Sequence, residues 1–318
     1  MIARTPVCEL LGIERPIVEA PLSADPRLPA AVSNAGGLGT LGLGWADDAG
    51  DVVRETAALT DRPFAGNFVL AFDQHHRIDQ ALSAGLRVVS LFWGDPQSYV
   101  DSVHDAGGLV MHTVGSVEEA RRAVGCGVDI VVAQGWEAGG HVWSGVATLP
   151  LVPAVVDAVA PVPVIAAGGI GDARGVAAVF ALGAQAALLG TRFLLAAEMP
   201  IHEEYRRRLI AATEIDVKWY PDLYAVGWPD ASHRAIHNST AEMWEAAGRP
   251  ALGSRPREGE VMAHFASGEA IVRYEPAPPM VGTTGEIEPL SLWAGQSVAL
   301  ATRSQPAAEI VAELVSRL

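Results

Sequence analysis

A nine-residue stretch, AQGWEAGGH at 133–141, combines three glycines with Glu137 and His141 directly after the largely apolar run 128–132. An imidazole changes charge near neutral pH at little cost, so His141 is suited to accept a proton from a carbon atom or to hold an anion. Glycine lets a planar ligand lie close to the main chain. The stretch predicts a binding or catalytic site. The alternative for His141 is a loop histidine bonded to a backbone carbonyl, and Glu137 is expected to bond neighbouring N–H groups.

Two further glycine turns follow later strands. Gly168 and Gly169 lie in VIAAGGIGDARG, just before a predicted helix, and Gly190 and Thr191 lie in LLGTRF. Free backbone N–H groups and the dipole at a helix N-terminus favour an anion. In α/β barrels, the loops after the seventh and eighth strands frequently hold a phosphate. The pair of turns therefore predicts phosphate binding, with tight turns and helix caps alone as the alternative.

A third glycine pattern, GLGTLG at 37–42, matches the dinucleotide fingerprint GxGxxG but follows a helix and opens a strand. A pyrophosphate site needs the reverse order, strand then helix. We expect these glycines to serve close approach of a ligand or a packed helix to the strand.

The elements that must position these residues alternate regularly along the chain. Apolar runs predict eight strands, and the segments between them predict seven helices. The predicted strands are 17–20, 38–43, 64–70, 88–92, 109–112, 130–133, 164–167 and 186–189. The predicted helices are 26–34, 47–59, 74–83, 96–105, 116–124, 149–159 and 172–182. Ser116 with Glu119 resembles a capping box, Gly125 is expected to follow the last turn of that helix, and Asp172 and Gly183 are expected to bracket another.

Continuous apolar strands indicate a parallel sheet covered by helices on both faces. Eight such units favour a (β/α)8 TIM barrel over residues 1–212, with a doubly wound open sheet as the alternative. The alternation of predicted strands and helices stops after Thr191. Residues 213–290, rich in Trp, Pro and Gly, are interpreted as a cap or substrate-covering segment, and 291–318 as a C-terminal helix that returns to the barrel after Pro306.

Composition limits the partners. The chain has 22 basic and 37 acidic residues and a formal net charge of −15, which disfavours nucleic acid and anionic lipid and favours a small-molecule substrate. No stretch is long and apolar enough for a signal peptide or a membrane span, and Cys8 and Cys126 lie far apart, so a cytoplasmic protein is expected. His233 and His237 lack a carboxylate or third ligand, so no metal is expected. A homo-oligomer is compatible with the sequence.

Six segments carry a family resemblance: EAPLS at 19–23, GNF at 66–68, AQGWEAGGH at 133–141, AAGGI at 166–170, LGTRF at 189–193 and WAGQS at 293–297. Together they resemble the nitronate monooxygenase family, formerly called 2-nitropropane dioxygenases. The resemblance covers most of residues 16–200 and returns at the C-terminus, whereas 213–290 finds little match. It implies a barrel that carries non-covalent FMN.

The resemblance also implies roles for individual residues. Asn67 and Gln134 resemble the polar contacts of the family to the flavin, Gly139 lets the backbone approach the cofactor, and His141 matches the active-site histidine. His112, expected at the end of the fifth strand, stands near a place where the family often has lysine. The expected cofactor-binding residues are Ala20, Pro21, Leu22, Asn67, His112, Gln134, Gly139, Gly140, Gly168, Gly169, Leu189, Gly190 and Thr191.

Three functions fit these residues. The first is FMN-dependent oxidation of alkyl nitronates or nitroalkanes by dioxygen, with kcat/KM on nitroalkanes rising as a group in the histidine range deprotonates. The second is an NAD(P)H-dependent flavin reductase acting on a quinone or an enoyl thioester. The third is a barrel that binds a phosphorylated metabolite without redox chemistry. The bulky Trp143 in HVWSG departs from the family pattern and leaves the substrate open, and the tryptophans and tyrosines at 136–228 fit either pocket or core.

Overall fold

The computed structural model describes residues 4–318, so the first three residues of the predicted barrel segment lie outside it. Its strands are β1 (Ile17–Glu19), β2 (Gly39–Gly42), β3 (Phe64–Val69), β4 (Val88–Phe92), β5 (Leu109–Val114), β6 (Ile130–Gln134), β7 (Gly140–His141), β8 (Val164–Ala167), β9 (Ala186–Leu189), β10 (Val217–Tyr220), β11 (His233–Ile236), β12 (Val261–His264), β13 (Ala270–Val272) and β14 (Thr284–Gly285).

Eight parallel strands form one sheet in the order β1-β9-β8-β6-β5-β4-β3-β2. β1 pairs with β9 on one side. On its other side, Leu38 accepts a hydrogen bond from the N–H of Glu19 and donates its own N–H to the carbonyl of Ile17, both at 2.9 Å. The sheet therefore closes on itself. The predicted TIM barrel is confirmed, and the open doubly wound sheet is wrong.

A helix follows each barrel strand. The helices are α1 (Pro6–Leu11), α2 (Arg27–Asn34), α3 (Ala49–Ala57), α4 (His75–Ser83), α5 (Gln97–Asp105), α6 (Val117–Gly125), α7 (Thr148–Val159), α8 (Ala173–Ala181), α9 (Thr191–Leu194), α10 (Glu203–Ala211), α11 (Ser239–Ala246) and α12 (Ala307–Leu314), with a short 3-10 helix at Val298–Leu300. None of the helices described within residues 4–318 combines the length and apolar character needed to cross a membrane.

Side chains alternate between the two faces of each barrel strand. Met111 and Val132 belong to a buried interior cluster that also includes Val7 and Leu11 of α1, which packs against the barrel interior. Their strand neighbours, such as Val131, pack into the layer of helices outside. The other end of the barrel, at the C-terminal ends of the strands, is thus free for the loops that follow the strands.

The helix ends follow the expected capping chemistry with two differences. Ser116 accepts a hydrogen bond from the N–H of Glu119, and Asp172 accepts from the N–H groups of Arg174 and Gly175. The reciprocal half of the capping box is replaced, because the Glu119 carboxylate accepts from the N–H of Gly115 instead. Gly125 is the last helical residue rather than the one after it, and the positive φ of this turn, 92°, lies two residues later at Gly127.

The chain after α10 forms two small antiparallel sheets. One has the order β10-β11-β7, and the other has the order β13-β12-β14. In the first sheet, His233 and Arg234 of β11 pair with His141 and Gly140 of β7, which belongs to the loop after β6. We call the chain from β10 to β14 the cap. Because a barrel loop supplies one strand of its first sheet, the cap is joined to the end of the barrel at which the strands finish.

Candidate active site

A cavity of about 690 Å³ opens at the C-terminal ends of the barrel strands. This volume lies within the range of about 300–1,000 Å³ that is usual for small-molecule and cofactor sites. Every predicted site residue except His112 lines it. These residues are Ala20, Pro21, Leu22, Asn67, Gln134, Gly139, Gly140, His141, Gly168, Gly169, Leu189, Gly190 and Thr191.

His141 is enclosed by aromatic rings. Its imidazole stacks on the indole of Trp228, with ring centroids 3.9 Å apart, and lies 5.7 Å from Trp93 and 5.5 Å from Trp293. Its Nε2 atom is buried and has no hydrogen-bond partner in the described part of the chain. Burial, with a smaller contribution from His233, lowers the pKa of His141 to about 3. The imidazole is therefore neutral at pH 7. The expected rise in kcat/KM on nitroalkanes stays a prediction, and the low pKa of His141 moves it below the usual histidine range.

The glycines of the loop after β6 are required mainly by chain packing. A side chain at Gly135 would collide with Thr148 at the start of α7, and one at Gly139 would collide with the backbone of Ala294 and Gly295. Gly140 has a positive φ of 66° and open space around it. The tight backbone approach predicted at Gly139 is thus made by the WAGQS segment, which folds back onto this loop.

Gln134 lines the cavity, but its side chain holds the loop. Its Nε2 donates to the carbonyl of His141 at 3.2 Å, and its Oε1 accepts from the N–H of Trp143 at 2.8 Å. The amide therefore fixes the main chain on both sides of Val142. Gln134 is a positioning residue for His141, which refines the expectation of a polar contact to a flavin.

Glu137 is bonded to neighbouring N–H and O–H groups, as expected. Its Oε2 accepts from both the N–H and the hydroxyl of Thr148, each at 2.9 Å, and so caps the first turn of α7. Glu137 and Glu275 are the charged side chains that line the cavity, and no lysine or arginine of residues 4–318 does so. The electrostatic character of the cavity wall is therefore acidic.

The two glycine turns lie together at the cavity wall. Gly168 and Gly169 have consecutive positive φ angles, 97° and 71°, which side chains rarely adopt. The hydroxyl of Thr191 accepts from the N–H of Gly295 at 2.9 Å, so its own hydrogen is available to donate. At Gly190 an added Cβ would meet only ordinary contacts, 3.4 Å from Ala20 and 3.7 Å from Leu22. The turns thus offer backbone and hydroxyl donors at one wall.

Asn67 of β3 presents an amide to the same cavity. Its Nδ2 donates to the carbonyl and the hydroxyl of Ser90 on β4, at 3.2 and 3.1 Å. These bonds orient the amide, so Oδ1 is the atom available to accept a hydrogen bond from a ligand. Ser90 also lines the cavity and was not predicted.

His112 does not join the other predicted residues. β5 continues to Val114, so His112 lies inside the strand. Val110 and Val114, which share its face of the strand, pack into the helix layer. Thr113, which points the other way, lines the cavity in its place. Burial lowers the pKa of His112 to about 4. His112 therefore lies outside the cavity. A polar residue in an apolar run resembles a strand end, but β5 continues for two further residues.

His233 is held by the backbone of the cap. Its Nδ1 bonds the carbonyl of Ala231 at 2.8 Å, and its Nε2 accepts from the N–H of Tyr224 at 3.1 Å, which fixes a neutral tautomer with the hydrogen on Nδ1. Burial lowers its pKa to about 4. No group of three metal-binding side chains was found among the described residues.

Other site features were missed because they depend on contacts distant in sequence. Of the aromatic residues between 136 and 228 that sequence analysis left undecided, Trp228 lines the cavity, whereas Tyr220 and Tyr224 form part of a separate cap core. Trp93 adopts a left-handed backbone with φ 65°, which is rare for a bulky residue and is frequent at functional sites. Its position before Gly94 at a strand end is the signal that the sequence offered.

Comparisons with known proteins identify the family of this chain. The family model described as nitronate monooxygenase matches residues 4–78 and 65–317. A nitronate monooxygenase from Paraburkholderia phytofirmans is 34% identical over 366 residues, covering 97% of this chain and 93% of that protein. FabK from Thermotoga maritima superimposes with a TM-score of 0.82 at 31% identity, covering 99% of this chain and 96% of that chain.

A third relative is the (3aS,4S,5R,7aS)-5-hydroxy-7a-methyl-1-oxo-octahydro-1H-indene-4-carboxyl-CoA dehydrogenase of Mycobacterium tuberculosis. It is 38% identical over 219 residues, covering 67% of this chain and 61% of that protein. The match therefore spans about three fifths of the dehydrogenase. The family model and the nitronate monooxygenase relative both extend over nearly the whole chain. This chain belongs to the nitronate monooxygenase family, whose members are flavin-dependent oxidoreductases.

Proposed function

We propose that this protein binds FMN without a covalent bond and oxidises alkyl nitronates or nitroalkanes with dioxygen. The observation that carries the proposal is the position of His141, whose buried Nε2 lacks a partner, in the same cavity as the two glycine turns. A buried ring nitrogen without a hydrogen bond is costly unless a ligand supplies one. The family membership supports a flavin as part of that ligand set.

The residues present fit FMN. Asn67 Oδ1 would accept from the polar edge of the flavin ring, and the backbone N–H groups of Gly169 and Gly190 with the hydroxyl of Thr191 would hold the terminal phosphate. One such phosphate site suits FMN rather than FAD. The acidic cavity wall supplies no side-chain cation, so the phosphate would depend on these neutral donors.

A bound flavin supplies oxidation of the substrate, with dioxygen completing the cleavage. The protein contributes a neutral imidazole at His141, whose main chain is fixed by Gln134. A base with such a low pKa is poorly matched to removing a proton from a neutral carbon acid at pH 7. His141 is better suited to hydrogen-bonding a substrate that is already a nitronate. Trp228 and Trp293 pack against the imidazole and shield part of it from water.

The test is the visible spectrum of the purified protein, followed by anaerobic addition of a nitronate. We expect a yellow protein, FMN by mass analysis of the released cofactor, and bleaching of the flavin by the nitronate. FAD instead of FMN would contradict the phosphate assignment. A colourless protein that takes up no flavin on reconstitution would overturn the proposal and favour a barrel that binds a phosphorylated metabolite without redox chemistry.

A second candidate is an NAD(P)H-dependent reductase acting on a quinone or an enoyl thioester. It is favoured by the likeness to a carboxyl-CoA dehydrogenase at 38% identity and to FabK over the whole chain. The same anaerobic experiment separates the two, because NADH or NADPH would bleach the flavin of a reductase and a nitronate would not.

A further inference from the structure

Arg234 of β11 reaches from the cap to the loop after β6. Its side chain is almost fully buried. The guanidinium donates from Nε to the carbonyl of Ala138 at 3.1 Å and from a terminal nitrogen to the carbonyl of Trp136 at 2.8 Å, and it lies 5.4 Å from the centre of the Trp136 ring. One cation from the cap thus binds two carbonyls of the barrel loop.

The carbonyl between these two is also engaged. Glu137 accepts at its carbonyl from the N–H of Gln296 at 3.0 Å, in the WAGQS segment. Three consecutive carbonyls, at 136, 137 and 138, are therefore bound by donors from outside the barrel. Their orientation is fixed as a set, which a loop containing several glycines would not achieve by itself.

The orientation of a carbonyl determines the orientation of the next amide. In a trans peptide the C=O of one residue and the N–H of the following residue point in opposite directions. By holding the carbonyls of Trp136 and Ala138, Arg234 turns the N–H groups of Glu137 and Gly139 away from itself. Glu137 and Gly139 both line the cavity.

The chemistry of arginine is needed for this contact. The two carbonyls are two residues apart, and the planar guanidinium presents donors to both at once, whereas the ammonium of lysine is a single point charge. A buried cation that bonds carbonyls rather than a carboxylate carries a desolvation cost. The Oε2 atom of the neighbouring Glu137 accepts from Thr148, and this carboxylate makes no hydrogen bond to Arg234.

We propose that Arg234 is a positioning residue for the cofactor: through the carbonyls of Trp136 and Ala138 it fixes the backbone of Glu137 and Gly139, which line the cavity, in the orientation that receives the flavin. This inference rests on the proposed function, because it requires a flavin in the cavity. It assigns to the cap a role in cofactor binding as well as in covering the site.

Arg255 provides a matched control within the cap. It is also buried and donates to two backbone carbonyls, those of Asp222 and Leu223, and it lies 5.3 Å from the centre of the Tyr274 ring. It does not line the cavity. Replacing either arginine by lysine removes a pair of guanidinium–carbonyl bonds. Arg255 also pairs with the carboxylate of Asp222 at 3.3 Å, and only the replacement of Arg234 affects the loop after β6.

The experiment compares Arg234→Lys and Arg255→Lys with the wild-type protein. The apoproteins are titrated with FMN, and thermal unfolding without flavin and the visible circular dichroism of the bound flavin are recorded. We expect similar losses of Tm, but a dissociation constant for FMN raised about tenfold or more, with a changed flavin spectrum, only in Arg234→Lys. If Arg234→Lys does not fold, Arg234→Gln, which removes the buried charge and keeps a donor, replaces it.

The outcomes are distinct. An FMN affinity and spectrum of Arg234→Lys equal to those of Arg255→Lys would overturn this inference and leave the proposed function intact. A wild-type protein that binds no flavin would overturn the proposed function and this inference with it.

Discussion

The imidazole of His141 lies face to face with the indole of Trp228, with planes inclined by 26° and centroids 3.9 Å apart. His141 belongs to the barrel loop and Trp228 to the chain between β10 and β11, so the cap supplies the surface that removes the histidine from water. A desolvated imidazole disfavours its charged form. This pair therefore contributes to keeping the imidazole of His141 neutral.

Replacing Trp228 by alanine should expose the imidazole and raise the pKa of His141 from about 3 toward the usual histidine value of about 6.5. The measurement is an NMR titration of the His141 ring, identified by its disappearance in His141→Ala. Trp228→Phe, which keeps an aromatic face, should change the pKa less. A pKa that stays near 3 in Trp228→Ala would show that the other surrounding rings suffice to bury the histidine.

His141→Ala should hold FMN and lose activity on a nitroalkane and on its preformed nitronate to a similar extent, because a base with a pKa of about 3 is poorly matched to removing a proton and His141 is expected to bond the nitronate. A loss of roughly 10²- to 10⁴-fold on the nitroalkane, with a smaller loss on the nitronate, would instead assign proton removal to His141. Steady-state kinetics on a nitroalkane and its nitronate provide the measurement. Equal losses on both would assign His141 to substrate binding, and unchanged kinetics would make it a structural residue.

The barrel could be predicted from sequence because its strands are buried on both faces. The runs at 88–92, 164–167 and 186–189 match β4, β8 and β9 residue for residue. β5 was ended too early, at His112, because a polar residue in an apolar run resembles a strand end. The local sequence does not show that Thr113 faces the cavity and His112 the helices.

Most of the barrel part of the site was also predictable, because loops after parallel strands converge on one face. The part of the site that the cap supplies could not be predicted from the sequence. Trp228 and Arg234 lie in a segment without helical or strand periodicity, and their partners His141, Trp136 and Ala138 are more than 80 residues away in sequence. The roles of Gly135 and Gly139 were likewise hidden, because Thr148 and Gly295 approach them only in the folded chain.

Gly190→Ala should test the phosphate site specifically. The substitution has room in the folded chain, and the backbone at Gly190, with φ −106°, suits alanine. The new methyl group would obstruct a phosphate at this turn. We expect FMN affinity to fall about tenfold or more while the affinity for riboflavin, which lacks the phosphate, is little changed.

Gly125→Ala, at the end of α6 with open space around it, is the control for Gly190→Ala and should leave both flavins bound as in the wild type. The measurement is fluorescence titration of each apoprotein with the two flavins. A parallel loss of FMN and riboflavin in Gly190→Ala would place the flavin ring, rather than its phosphate, at this turn.

Glu19→Gln should stabilise the protein increasingly as the pH rises. Glu19 is buried in β1, its carboxylate accepts from the N–H of Thr40 at 3.3 Å, and burial holds its pKa well above its usual range. The folded state keeps a proton that the unfolded state loses above about pH 4.5, so wild-type stability declines from that pH upward. The amide of glutamine does not ionise in this pH range, so the variant does not lose stability through this position as the pH rises.

Thermal unfolding of wild type and Glu19→Gln between pH 4.5 and 8 measures this effect, and the Tm difference should grow with pH in favour of the variant. Glu55→Gln removes the same formal charge from an exposed position on α3 and serves as the control. A Tm difference between wild type and Glu19→Gln that is independent of pH would mean that Glu19 ionises alike in the folded and unfolded chains.

The acidic cavity wall predicts a preference among nitronates. Glu275 lines the cavity and its carboxylate accepts from the N–H of Val272 at 2.9 Å, so its charge is held in place near the substrate. A nitronate that carries a further carboxylate should therefore have a higher KM than an apolar alkyl nitronate of equal length. Glu275→Gln removes the repulsion between the two carboxylates. Glu137→Gln is less suitable, because it would also remove the cap of α7. We expect the KM ratio of the two substrates to narrow by about two- to fivefold in Glu275→Gln at low salt, and less at high salt, because the glutamate is partly exposed and screened. A ratio unchanged by the substitution at low salt would show that the cap charge does not contribute to substrate choice.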